Sequence, residues 1–110
     1  MTEFTPPRDA VEALDRMAEL LATPEKWHRG ANRNRSGTKC CLEGALNMAL
    51  TGSFDQSDTS DLGLKVRLVL RAGVPPIFFD QLHKYNDSPV TTHADILALI
   101  ARARAVESGT

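Results

Sequence analysis

The sequence predicts a mainly α fold: a small bundle of four or five short helices around a central helix over residues 41–51, with room for one short β-hairpin between residues 27 and 41. Three observations carry this reading. Apolar residues recur three and four positions apart in several separate stretches, the period of a helix with one buried face. Turn and cap residues fall between those stretches, at Thr23-Pro24, Gly52, Gly73, Pro75-Pro76 and Pro89. The chain is also globular in composition, with 42% hydrophobic and 25% charged residues over 110 positions. That length suits one core, so residues 1–110 are expected to form a single domain with frayed ends at 1–6 and 107–110.

The first helix is expected to start after Pro6-Pro7, close to Asp9, since proline is tolerated in a first turn where its missing N–H would have no partner. Val11, Leu14, Ala18 and Leu21 mark its buried stripe, widened by Met17 and Leu20, and Thr23-Pro24 stops it. From Trp27 to Lys39 the apolar pattern disappears and the chain becomes polar, which reads as a loop or a short hairpin. The hairpin version of this stretch pairs residues 27–31 with 38–40 across a turn at 34–37, where Asn34 and Gly37 tolerate positive φ. Two strands alone are marginal, so helices must cover them.

Leu42, Ala45, Leu46, Ala49 and Leu50 then give the clearest amphipathic helix, ended by Gly52. Gly44 inside it costs about 0.5–1 kcal/mol against alanine, and a common compensation is close approach by another backbone. Residues 53–60 read as an acidic, serine-rich surface connection with N-cap candidates at Asp58 and Ser60. Leu62, Val66, Val69 and Leu70 mark the next helix. Pro76 is expected to open another, with Phe78, Leu82 and Tyr85 on one face. Asn86-Asp87-Ser88-Pro89 reads as a turn. Thr92 with Asp95 resembles a capping box that starts the last helix near His93, continued by Ile96, Leu99, Ile100 and Ala103.

Formal net charge is −1, so no global field draws the protein to nucleic acid or to an acidic membrane, and any such attraction needs a local patch. The N-terminal residues show no basic segment leading into an apolar one. No stretch approaches the roughly 18 apolar residues of a membrane span. Cys40 and Cys41 are adjacent, a poor geometry for a disulfide, and are expected to stay as thiols in a reducing, cytoplasmic setting.

Three kinds of chemistry compete for these residues. Cys41 falls at a helix N-terminus, where backbone N–H groups and the dipole lower a thiol pKa, and His28, His83 or His93 could act as base with Asp87 or Asn86 orienting it. That constellation would make a small cysteine-dependent hydrolase or transferase, although a buried thiol packed beside Gly44 and Ala45 fits the same pattern. Zinc could draw on Cys40, Cys41, His83 and His93, but adjacent cysteines and histidines ten residues apart lack the paired spacing of a zinc site, so no metal or cofactor is expected. The third candidate is the basic segment with Lys26, Arg29, Arg33, Arg35 and Lys39, flanked by Trp27 and His28. Loops carry function disproportionately. This one could contact a protein partner, or hold single-stranded nucleic acid through phosphate contacts and stacking on Trp27. In the structural alternative Trp27 covers the edge of the core and its indole N–H finds a carbonyl.

Three segments in order, Trp27-His28-Arg29-Gly30, Cys41-Leu42-Glu43-Gly44-Ala45-Leu46 and Tyr85-Asn86-Asp87, resemble an uncharacterised family of small bacterial and phage proteins built on a domain of unknown function. The resemblance implies no activity and carries no catalytic residue. It singles out Trp27, Gly30, Cys41, Gly44, Asn86 and Asp87. Taken together, the sequence favours a non-catalytic binding or accessory protein acting on an unknown protein partner through the basic segment at Trp27, His28, Arg29, Arg33, Arg35 and Lys39. Nucleic-acid binding by the same loop and thiol chemistry at Cys41 are the alternatives. A two-fold dimer through the apolar faces of the terminal helices is compatible with the pattern.

Overall fold

The computed structural model describes residues 4–109; residues 1–3 and 110, part of the ends expected to fray, lie outside the described residues. Five α-helices follow one another: α1 (Ala10–Leu20), α2 (Leu42–Thr51), α3 (Asp61–Ala72), α4 (Leu82–Asp87) and α5 (His93–Ser108). Short 3-10 turns at Pro24–Lys26 and Pro76–Phe78 precede the long loop and α4. The protein is thus a mainly α small bundle.

Four of the five helices, all but α4, begin where a side chain satisfies an N–H that has no partner within the helix. Asp9 accepts from the Glu12 N–H at 2.9 Å and starts α1. Ser60 accepts from Gly63 and starts α3. Thr92 and Asp95 form both bonds of a capping box at the head of α5. The C-termini are equally local, with α2 closed by Gly52 at φ +81° and α5 by Gly109 at φ +79°. Helix α5 runs through Glu107, within the stretch expected to fray, and Lys65 of α3 pairs with that carboxylate at 3.2 Å.

Helix α1 buries Ala10, Ala13, Leu14 and Met17, leaves Val11 and Ala18 half-buried at its flanks, and packs against α2, α3 and α5. Helix α2 is the most deeply buried element, with seven of its ten residues inside. The centre of the bundle is therefore shared by these two helices. Leu14, Met17, Leu21, Leu42, Leu46, Leu70, Leu82, Ile96 and Leu99 supply the largest wholly buried side chains. Arg67 of α3 grips the Glu43 carboxylate at 2.6 and 2.8 Å and ties α3 to the head of α2.

One expectation changes and one open alternative is decided. The helix expected from Pro76 through Tyr85 is broken in two, because Phe79 and Asp80 adopt left-handed backbone at φ +52° and +62°. The Phe78 and Tyr85 rings still meet edge-on at 5.2 Å across the break. Residues 27–41, open to either a loop or a short hairpin, form a loop. Trp27 bridges Cys40 in parallel, and only Arg33 meets Cys40 antiparallel, so no regular strand forms among the described residues. Among those residues, too, no helix is long and apolar enough to cross a membrane.

Candidate functional site

The loop between residues 27 and 41 is polar, lacks a ladder of its own, and yet is held at both ends and at its tip. At the tip, Asn34 acts as an internal clamp. Its Oδ1 accepts the N–H groups of Thr38 and Lys39 at 2.9 and 3.0 Å, and its Nδ2 donates to the hydroxyls of Thr38 and Ser36. Those bonds replace the ladder that a hairpin would have used, and Gly37 turns the chain at φ +72°.

At the base of the loop, Asn86 carries the connection to the bundle. It is fully buried, and its amide uses all four of its hydrogen-bonding positions. Oδ1 accepts the Trp27 indole N–H at 2.7 Å and the Leu42 N–H at 3.1 Å. Nδ2 donates to the His28 carbonyl at 3.0 Å and to Asp87 Oδ1 at 2.9 Å. Asp87 Oδ1 also accepts the Gly30 N–H at 2.8 Å. The asparagine therefore fastens the loop entry, caps the first N–H of α2 and links both to α4. Asn86 and Asp87 close α4; the turn follows at Ser88–Thr91, where the Thr91 N–H reaches the Ser88 carbonyl at 3.1 Å.

Gly44 fixes the other side. A Cβ built there would lie 1.9 Å from the Asn32 carbonyl oxygen, so only glycine lets the loop backbone rest on α2, and that same oxygen accepts the Cys41 N–H at 3.2 Å. Trp27, Gly30, Cys41, Gly44, Asn86 and Asp87, the positions marked by the three short motifs, thus meet in one place.

Cys41 is the N-cap of α2. Its sulfur accepts the Gly44 N–H at 3.4 Å and lies 3.9 Å from Asn32 Oδ1. The helix N-terminus was expected to lower its pKa, but burial wins: it pushes the thiol above the ordinary 9.0, against the downward pull of the Gly44 and Glu43 N–H groups. Burial pushes Cys40 up to about 12. Among the described residues no histidine makes a hydrogen bond to Cys41. His93 Nε2 donates to the Leu21 carbonyl at 2.6 Å, His83 is exposed on α4, and His28 meets the network through its backbone. Asp87 is engaged with Gly30 and Asn86. Among the described residues no three His, Cys, Asp or Glu side chains are grouped to hold a metal ion.

The basic residues divide into two sets. Arg29 lies over the Trp27 ring at 4.3 Å and donates to the Thr91 carbonyl at 2.5 Å, and Arg33 pairs with Asp55 at 3.1 Å. Trp27 itself is half-buried, with one face under Arg29 and the His93 ring 6.2 Å away. Its indole meets a side-chain carbonyl, as its core-covering role required. Lys26, Arg35 and Lys39 are exposed and make no ion pair within 4 Å among the described residues.

Two of these free cations, Lys26 and Lys39, line an open groove of about 530 Å³ between α1, α2 and the loop. Leu20, Met48, Ala49 and Phe54 give it apolar walls, and Arg16, Glu19 and Thr38 line it as well. Sequence periodicity could not reveal this groove. Its walls come from segments that are far apart in the chain; Leu20 reads in the sequence as part of the buried stripe of its helix, and nothing there singles out Met48.

A small helical bundle with a stapled polar loop is the class this geometry defines. The chain belongs to a family of unknown function, DUF6197, whose model matches residues 5–106. No curated protein and no solved structure matches the chain.

Proposed function

We propose that the protein is a non-catalytic binding or accessory protein that engages a partner protein through the basic segment at residues 27–39. The observation that supports this reading is the groove beside that segment, of a size common for binding clefts and lined by two lysines with no ion pair among the described residues. The working cations are then Lys26 and Lys39, with Arg35 at the loop tip. Arg29 and Arg33 serve the loop's own architecture, since their guanidinium groups are occupied by Thr91, Trp27 and Asp55.

The nucleic-acid alternative draws on the same lysines and Arg35, but the stacking platform it needs is covered on one face by Arg29. The thiol alternative lacks a base at Cys41, and burial holds that sulfur protonated. A reducing, cytoplasmic setting in a bacterial or phage context belongs to the same proposal, and two buried free thiols suit it.

The test is affinity capture with the full chain, run against a Lys26→Glu/Lys39→Glu variant and an Arg29→Gln variant. Capture lost with the lysine pair and retained with Arg29→Gln is the expected result. A partner held equally by all three proteins removes the groove from the account, and a captured fraction that is degraded by nuclease turns it toward nucleic acid.

A further inference from the structure

We propose that the groove between α1, α2 and the loop recognises a short acidic peptide segment of the partner in which a bulky apolar side chain stands beside carboxylates. This rests on the binding reading above and adds the chemistry of what is bound. The apolar walls are adaptable: Leu20, Met48 and Phe54 are each half-buried, and an unbranched thioether reshapes around an inserted side chain. The volume of about 530 Å³ exceeds a single side chain and admits a short stretch of chain.

The charged lining sets the sign of the partner's charge. Arg16, Lys26 and Lys39 face one acid, Glu19. Arg16 is already committed to Glu12 at 2.9 Å and to the Thr5 carbonyl at 2.6 Å, and Glu25 lies close enough to Lys39 to feel its charge. What remains for a ligand is the ammonium groups of Lys26, at the end of the 3-10 turn, and Lys39, in the loop, with Glu19 on the α1 wall and Glu25 partly balancing Lys39. Ammonium groups are flexible point charges, suited to carboxylates presented on a peptide. Two such charges and an opposing glutamate make a poor track for a phosphate backbone.

The loop backbone narrows the mode further. The Cys40 N–H and C=O are bonded to Lys26 and His28 at 2.9 Å each, and the N–H groups of Thr38 and Lys39 are held by Asn34. No free strand edge faces the groove from this side. Recognition therefore runs through side chains, an apolar anchor with flanking carboxylates, and not through strand addition.

The experiment is an NMR titration of the labelled full chain with three blocked hexapeptides: Asp-Glu-Leu-Phe-Glu-Asp, its amide analogue with Asn and Gln in place of the acids, and a lysine analogue. Saturable shifts of the Leu20, Met48 and Ala49 methyl signals are expected with the acidic peptide, with at least tenfold weaker binding for the amide analogue and none for the lysine one. Lys26→Glu/Lys39→Glu should weaken the acidic peptide at least tenfold, and Lys26→Gln/Lys39→Gln by less, both with an unchanged Trp27 indole signal as the check on folding. Equal affinity for acidic and amide peptides, shifts that map elsewhere, no shift at millimolar peptide, or displacement of the peptide by a thymidine oligonucleotide would each overturn the proposal. Capture that depends on the lysines while the acidic peptide fails to bind would end this ligand chemistry and leave the binding reading standing.

Discussion

Asn86 and Gly44 together decide where the loop sits, one by hydrogen bonding and the other by having no side chain. An amide that uses both acceptor positions and both donors is a fully satisfied buried polar group, the condition under which burial specifies a single arrangement. Gly44 works by exclusion. The atom it would strike is a backbone oxygen, which cannot rotate away, so Gly44→Ala must either lift the loop off α2 or distort the helix. We expect Gly44→Ala to lose about 3 kcal/mol in urea unfolding, at the upper end of the range for overpacking because the neighbour it meets is backbone. A loss under about 1 kcal/mol would mean that the loop is not seated on α2. The sequence made part of this legible. A glycine inside a strongly amphipathic helix called for a close backbone, although nothing in the pattern named Asn32 as that backbone. Asn86 was less legible, because in sequence it stands in a run of turn formers while its partners Trp27 and His28 are 59 and 58 residues away.

At the scale of elements, local signals served well wherever the physics was local. Ser60, Thr92 with Asp95, Gly52 and Gly73 sit at the helix ends their chemistry implied. The break before α4 was missed because two non-glycine residues in left-handed backbone are uncommon, and Asp80 alone was a faint signal for it. The start of α2 shows two local effects in competition at Cys41, with burial outweighing the helix N-terminus. A consequence follows for pH. Cys40 and Cys41 are acids whose folded pKa lies above the unfolded value, so their contribution is fully present below about pH 9. It is lost as pH rises towards the folded value, about 12 for Cys40. Stability should therefore fall above pH 9 by at most about 1.4 kcal/mol per pH unit for each thiol. Cys40→Ala should flatten that slope, and neither native thiol should react with iodoacetamide at pH 8 until urea unfolds the chain. A slope unaffected by Cys40→Ala, or rapid labelling of the folded protein, contradicts the burial.

For the molecule as a whole, the five helices supply a rigid frame and the loop supplies the surface. The bundle was readable because its periodicity repeats along the chain and its core is made of those periodic positions. The groove was not. It exists only because Asn34, Asn86 and Gly44 bring the residues after Lys26 back against α1 and α2, and its lining is drawn from six separated stretches of sequence. The same stapling explains why the basic residues differ from one another. Arg29 and Arg33 are engaged at the surface by Thr91 and Asp55, and Lys26 and Lys39 make no ion pair among the described residues. Loop position and groove chemistry thus depend on a single network.

The protein has one tryptophan, so its indole N–H gives one resonance that reports this network directly. The measurement is hydrogen–deuterium exchange of the Trp27 indole proton in the native chain and in Asn86→Leu. The account predicts slow exchange in the native protein, where that proton is bonded to a fully buried Asn86 at 2.7 Å, and fast exchange in the variant together with shifts at Gly30, Leu42 and Lys39. Exchange in the native protein at the rate of a free indole, or a variant whose indole and loop signals do not change, would show that the loop is not held by Asn86.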